Sequence, residues 1–144
     1  MPLLDDDVRN EVQRRFESLD GDVRLMLFTP PDGDGDGHGS EELRELLAEV
    51  AALSPRVAVE EHTLGGDDPT AAEHDIRRAP AVAVRGERDY GIRYYGPPGG
   101  YEFESLIDVI GDVARGDAEV PEQVRSGLAE IREPVHVQVF VTPT

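Results

Sequence analysis

Residues 79–95 read APAVAVRGERDYGIRYY, two short β-prone runs on either side of a turn-like segment. The first run begins at the Ala79-Pro80 step, and the second covers residues 90–95. Because both runs favour extended backbone and residues 86–89 favour a turn, they predict an antiparallel pair of strands. The remaining elements can be placed outward from this hairpin.

Two strands and three helices are predicted before the hairpin. Residues 23–28 are almost continuously apolar, which is typical of a strand covered on both faces. Residues 56–62 form a second strand, and the helical connection between the two makes them parallel. Apolar residues at helical spacing predict a helix over residues 4–19. The other two helices should begin at N-caps, one at Ser40 and one at Asp68, and the second should end near Arg77.

A helix with an apolar stripe from Phe103 to Val113 follows the hairpin. Residues 1–114 therefore predict one α/β domain, a four-stranded mixed sheet with helices on both faces. Residues 115–121 are a linker. Residues 122–144 contain a further helix and an alternating strand at 135–141, with valines on one face.

The C-terminal strand resembles the first strand of the domain. Residues 25–30 read LMLFTP and residues 137–143 read VQVFVTP, and each follows an amphipathic helix. We therefore interpret residues 122–144 as the opening of a second copy of the same fold. An apolar strand without a sheet can also pair with another chain, so a homodimer through this strand is a second prediction.

Composition narrows the range of functions. The 144 residues carry 31 acidic and 14 basic side chains, a net charge of −17, and every basic side chain is Arg. Such a chain disfavours nucleic acid as a partner. No stretch approaches the roughly 20 apolar residues of a membrane span, and no signal peptide is visible. The acidic surface predicts a protein of a salt-rich (halophilic) cytoplasm, because molar salt screens repulsion between carboxylates.

The sequence contains no cysteine. A cysteine nucleophile, a disulfide and a Cys-ligated zinc ion are therefore excluded for this chain. We expect neither enzymatic activity from this chain alone nor a bound cofactor.

The residues nevertheless resemble a redox family. The likeness is carried by the element order, the end of the first strand at Phe28-Thr29-Pro30, the Ala79-Pro80 step, and GIRYYGPPGGYEF at residues 91–103. These features are similar to the first half of the archaeal protein disulfide oxidoreductases, which are glutaredoxin-like and have two tandem thioredoxin folds. The N-terminal domain of the alkyl hydroperoxide reductase flavoprotein is built similarly.

This resemblance implies a cis peptide at Ala79-Pro80, where backbone groups of Ala79 bind an extended peptide by strand addition. It also implies a Cys-x-x-Cys pair after the first strand, and here the sequence departs from the family. The degenerate loop that replaces the pair consists of Pro31, Asp32, Gly33, Asp34, Gly35, Asp36, Gly37 and His38. The resemblance thus implies a redox-inactive scaffold or docking half, whose partner is a second thioredoxin-fold domain or a thiol/disulfide client.

The same loop allows a different interpretation. Asp32, Asp34 and Asp36, followed by Gly37, match the first half of a calcium-binding loop, in which alternate carboxylates converge on one Ca²⁺ ion. The twelfth position of such a loop would be Leu43, where a bidentate Glu is needed. A Ca²⁺-binding module is therefore the alternative function.

Overall fold

A four-stranded sheet forms the centre of the protein. Its strands are β1 (Val23–Thr29), β2 (Val57–Thr63), β3 (Ala81–Arg85) and β4 (Asp89–Tyr95). The strand order is β2-β1-β3-β4, with β1 parallel to β2 and antiparallel to β3, and with β3 antiparallel to β4. The parallel pair and the antiparallel hairpin confirm the sheet that the sequence predicts.

Five helices accompany the sheet in the computed structural model, which describes residues 2–31 and 37–142. They are α1 (Asp6–Phe16), α2 (Gly37–Ala51), α3 (Thr70–Glu73), α4 (Tyr101–Arg115) and α5 (Glu122–Ala129). Helices α1, α2 and α4 contribute to the core on one face of the sheet, whereas α3 covers part of the other. The prediction of helices on both faces is therefore confirmed.

The central strand β1 supplies both cores. Val23, Leu25 and Leu27 pack with the three longer helices, and their side chains are 0% exposed. Met26 and Phe28 point to the opposite face and pack near α3. Successive side chains of a strand alternate between faces, so a strand buried on both sides must be apolar at nearly every position.

Three helices differ from the sequence prediction, and the first of them, predicted over residues 4–19, is the shorter α1. Helix α2 begins at Gly37, so Ser40 lies within the helix and is buried rather than acting as its N-cap. Helix α3 ends at Glu73 and does not reach Arg77, because Asp75 adopts a left-handed backbone conformation with φ 52°. The N-cap of α3 is Pro69 rather than the predicted Asp68, although the Asp68 carboxylate accepts the Thr70 backbone N–H at 2.9 Å.

The N-terminal segment is attached to α2 by one carboxylate. Glu49 accepts the backbone N–H groups of Leu3 and Leu4 at 2.6 and 3.0 Å, and Arg9 donates to it at 3.2 Å. Burial alone raises the pKa of Glu49, but these donors together lower it below its usual value. The ionised carboxylate thus secures the chain before α1.

The end of α4 approaches the base of the sheet where two glycines leave space. A Cβ atom at Gly21 would lie 2.5 Å from the Ala114 carbonyl oxygen, and one at Gly86 would lie 2.7 Å from that of Val113. Any side chain at either position would therefore displace the helix. Gly116 ends the helix in a left-handed conformation with φ 75°.

The C-terminal segment corrects one sequence prediction. Helix α5 forms as expected, but residues 130–142 belong to no helix or strand, so the strand predicted at 135–141 is absent. A strand requires a hydrogen-bonded neighbour, and the described part of the chain provides none here. All residues from 115 to 142 are exposed, so this segment adds nothing to the core of the domain.

None of the helices within residues 2–31 and 37–142 combines the length and the hydropathy that crossing a membrane requires.

The two-sided core makes a direct prediction. Leu25→Ala removes most of a side chain that is 0% exposed, and it should lower the free energy of unfolding by about 2–5 kcal/mol. Leu128→Ala is the matched control, because the same change is made on a side chain that is 58% exposed. The control should change stability by less than about 0.5 kcal/mol in urea unfolding. Equal losses in both variants would contradict this assignment of the core.

Candidate functional site

The candidate site is the loop between α3 and β3. His74 and Ile76 are buried, 6% and 4% exposed, and the Ile76 backbone N–H donates to the Ala71 carbonyl at 2.8 Å. Arg77 and Arg78 then turn outward and are exposed, while Ala79 and Pro80 are half-buried. The loop is thus fixed where it leaves α3 and accessible just before β3 begins.

The Ala79-Pro80 peptide bond is cis, as the sequence resemblance implies. The Pro80 carbonyl accepts the Gly96 backbone N–H at 3.0 Å, which ties the loop to the end of β4. The backbone N–H and C=O of Ala79 have no hydrogen-bond partner in the described part of the chain. One backbone donor and one backbone acceptor are therefore unpaired at this end of the sheet.

The degenerate loop leaves the sheet at this same end. Phe28 pairs with Ala81 in the antiparallel register, so the chain after β1 departs beside the residues that precede β3. Pro31 is exposed, and Gly37 and His38 form the first residues of α2. The other members of this loop, Asp32, Gly33, Asp34, Gly35 and Asp36, lie outside the described residues.

The calcium interpretation gains no support from the described residues. Across residues 2–31 and 37–142, no group of three or more acidic or histidine side chains is arranged to hold a metal ion. Helix α2 already begins at Gly37, so residues that would form the second half of a calcium loop are helical. The predicted ligands Asp32, Asp34 and Asp36 fall in the segment outside the description.

The rings of Phe28, His62 and His74 form a cluster next to this loop. The Phe28 ring stacks on His62 with centroids 5.5 Å apart, and its centroid lies 6.0 Å from that of His74. His62 Nδ1 lies 2.8 Å from an Asp68 carboxylate oxygen. Hydrogen bonds from the Thr70 hydroxyl and backbone N–H, and from His62, lower the pKa of Asp68 to about 2. This network joins β1, β2 and the start of α3.

His74 connects the loop to the hairpin. Its Nδ1 lies 2.8 Å from the Thr70 carbonyl oxygen, which only a protonated nitrogen can approach as a donor. In the neutral ring, Nε2 is then an acceptor facing Arg85 Nη1 at 3.4 Å. The His74 carbonyl accepts Arg93 Nε at 3.1 Å, and Arg93 also binds Asp89 through two bonds of 2.9 and 2.6 Å.

Sequence reasoning did not identify this network. His62 and His74 are twelve residues apart on different elements, so no helical or strand spacing relates them. Only the sheet register brings both rings to Phe28. The i, i+4 spacing of Asp89 and Arg93 was visible, but on a strand it does not predict a contact unless the backbone is irregular. The structure has such an irregularity in the β3–β4 register between Val84 and Arg85.

The Asp89–Arg93 pair gives a pH prediction. The hydrogen bond from Arg93 lowers the pKa of Asp89 to about 2. The pair therefore contributes stability above the ordinary Asp pKa of about 3.9 and loses it as the pH falls through about 2. Arg93→Gln should move the Asp89 pKa, measured by carboxyl NMR titration, toward about 3.9. Arg88→Gln is the control, since Arg88 packs over Tyr90. An unchanged Asp89 pKa in Arg93→Gln would show that the hydrogen bond from Arg93 does not lower it.

The fold is thioredoxin-like, and solved structures share it. The N-terminal domain of alkyl hydroperoxide reductase from Enterococcus faecalis superposes with a TM-score of 0.76 at 20% identity, covering 87% of this chain and 59% of that chain. A protein disulfide oxidoreductase from Aeropyrum pernix superposes with a TM-score of 0.72 at 20% identity, covering 89% of this chain and 56% of that one. No family model matches the chain.

Sequence comparison finds relatives of the same kind. The F component of alkyl hydroperoxide reductase in Staphylococcus epidermidis is 27% identical over 143 residues, which is 99% of this chain and 25% of the relative. The Staphylococcus aureus protein is 24% identical over the same length and also matches over 25% of its own length. The chain thus spans about a quarter of these relatives, and the match extends over residues 115–142.

Proposed function

We propose that this chain is the redox-inactive, peptide-docking unit of a thiol–disulfide oxidoreductase system. The observation that carries the proposal is the unpaired backbone N–H and C=O of Ala79 beside Pro80, in a chain without cysteine. Similarity to the F component of alkyl hydroperoxide reductase and to a protein disulfide oxidoreductase supports the choice of system.

The absence of cysteine limits the part of this unit in disulfide exchange to binding. Disulfide exchange requires a thiolate that attacks one sulfur of a disulfide and forms a mixed disulfide. No side chain in this sequence can form that bond. A client or a catalytic domain can still be held and oriented, because strand addition uses only backbone groups.

The docking geometry follows from the end of the sheet. A client segment in extended conformation would donate one N–H to the Ala79 carbonyl and accept the Ala79 N–H. Gly96 holds Pro80 through a 3.0 Å hydrogen bond, and the buried His74 and Ile76 hold the start of the loop. The loop is therefore ordered before the peptide arrives, which lowers the entropic cost of binding.

The partner is a second thioredoxin-fold unit. Helix α5 exposes Val124 and Leu128, and the following segment exposes Phe140 at 88%. Such an exposed apolar surface marks an interaction site, and the greater length of the relatives supports a second unit that covers it. A homodimer formed through residues 135–141 is the other arrangement, and sedimentation equilibrium distinguishes it by mass.

We place the protein in a salt-rich cytoplasm.

Docking at Ala79 can be tested at residue resolution. An unlabelled eight-residue Val/Thr peptide, added to the ¹⁵N-labelled chain, should shift the amides of Ala79 and Gly96 in a saturable manner. Amides of α1 and of residues 122–142 serve as internal controls and should not shift. The chain should also fail to reduce insulin with dithiothreitol as the electron source beyond the uncatalysed rate. Saturable shifts that leave Ala79 and Gly96 unchanged would refute the proposed site.

Salt dependence tests the proposed environment. A net charge of −17 on a small domain is strongly self-repelling in dilute buffer. At 1 M salt the Debye length is about 3 Å, so most of this repulsion is screened. The melting temperature should therefore rise by several degrees between 0.05 M and 2 M KCl. The same melting temperature at both concentrations would argue against a halophilic protein.

A further inference from the structure

Arg78 immediately precedes Ala79, and its guanidinium stacks on an aromatic ring instead of pairing with a carboxylate. Its guanidinium carbon lies 4.5 Å from the centroid of the Tyr95 ring. Within the described residues it forms no ion pair, whereas the adjacent Arg77 pairs with Asp75 at 2.9 Å. Arg88, which lies over the Tyr90 ring, is also without an ion pair in that part of the chain, but it is Arg78 that adjoins Ala79.

The stacking places Arg78 beside the free backbone of Ala79. Tyr95 is the last residue of β4 and pairs with Ala81, and the next residue, Gly96, binds the Pro80 carbonyl. A guanidinium that stacks on an aromatic ring keeps its N–H edges free for a carboxylate. The loop therefore combines a backbone docking position with a side chain that is held in place and suited to an anion.

We propose that the docking site selects an extended peptide with a Glu or Asp side chain beside the segment that pairs with Ala79. Arg78 binds that carboxylate, and the Tyr95 ring orients Arg78. The inference rests on the proposed peptide docking and adds the chemistry of the client. It predicts a preference that backbone pairing alone cannot produce, because every peptide offers the same backbone groups.

Long-range and contact electrostatics act in opposite directions at this site. The net charge of −17 repels an acidic peptide at a distance. The Debye length is about 10 Å at 0.1 M salt and about 3 Å at 1 M, so intermediate salt screens the distant charges more than a carboxylate in contact with Arg78. The preference for an acidic peptide should therefore be measured at about 0.5 M KCl, between these limits.

The test uses three eight-residue Val/Thr peptides that differ at one central position, which is Glu, Gln or Lys. Affinities are obtained from the Ala79 and Gly96 amide shifts of the ¹⁵N-labelled chain in 0.5 M KCl. The Glu peptide should bind about three- to fivefold more tightly than the Gln peptide, the range of an exposed ion pair. Arg78→Gln should reduce this ratio to about one, and the matched control Arg77→Gln should preserve it.

Each alternative outcome is informative. Equal affinities for the Glu and Gln peptides at Ala79 overturn the role of Arg78 and leave the docking site intact. Tightest binding of the Lys peptide also overturns the inference, because the net charge of the chain, and not Arg78, would then determine which peptide binds best. If no peptide shifts Ala79, both the docking proposal and this inference fail. Should Arg78→Gln unfold, Arg78→Lys retains the charge without the planar stack, and an undiminished Glu preference in that variant excludes orientation by Tyr95.

Discussion

Burial of β1 from both sides is the constraint on which the structure depends. Its odd-numbered residues contact the core of the three longer helices, and Met26 and Phe28 contact the smaller core near α3. A strand in this position must pair on both edges, with β2 on one side and β3 on the other. The antiparallel pairing with β3 then brings the exit of β1 and the Ala79-Pro80 loop to one end of the sheet.

The proposed function is a consequence of that arrangement and of the missing cysteines. The end of the sheet that holds the cysteine pair in the family resembled by the sequence has no thiol here. The neighbouring loop is still held by Gly96, His74 and Arg93. A fixed loop without a reactive thiol suits binding, since recognition through backbone groups needs only a fixed loop.

Much of the fold was predictable because it depends on local patterns. The apolar run at 23–28 and the turn at 86–89 specify the central strand and the hairpin within two residues of their observed bounds. The start of α2 was misjudged because a strong N-cap residue at Ser40 lies inside a helix that begins earlier. The strand at 135–141 was predicted from alternation alone, and alternation does not supply a hydrogen-bonding partner.

The candidate site was only half predictable. Ala79 and Pro80 are adjacent in sequence, so a resemblance to known proteins could identify them. His62, His74 and Arg93 come together through sheet register and a short helix, which no single window of sequence contains. The stacking of Arg78 on Tyr95 likewise joins two elements 17 positions apart. Contacts of this kind depend on tertiary structure and leave no periodic signal.

The exposed apolar segment at residues 135–141 affects how strongly copies of the protein associate in solution. At low salt, repulsion between the negative charges keeps copies of the protein apart, while the valines and Phe140 of residues 135–141 are exposed to water. Added salt weakens that electrostatic barrier and leaves the attraction between apolar surfaces in place. The colloidal stability of this chain therefore declines as salt is added, and a partner surface that covers this segment would remove the attraction.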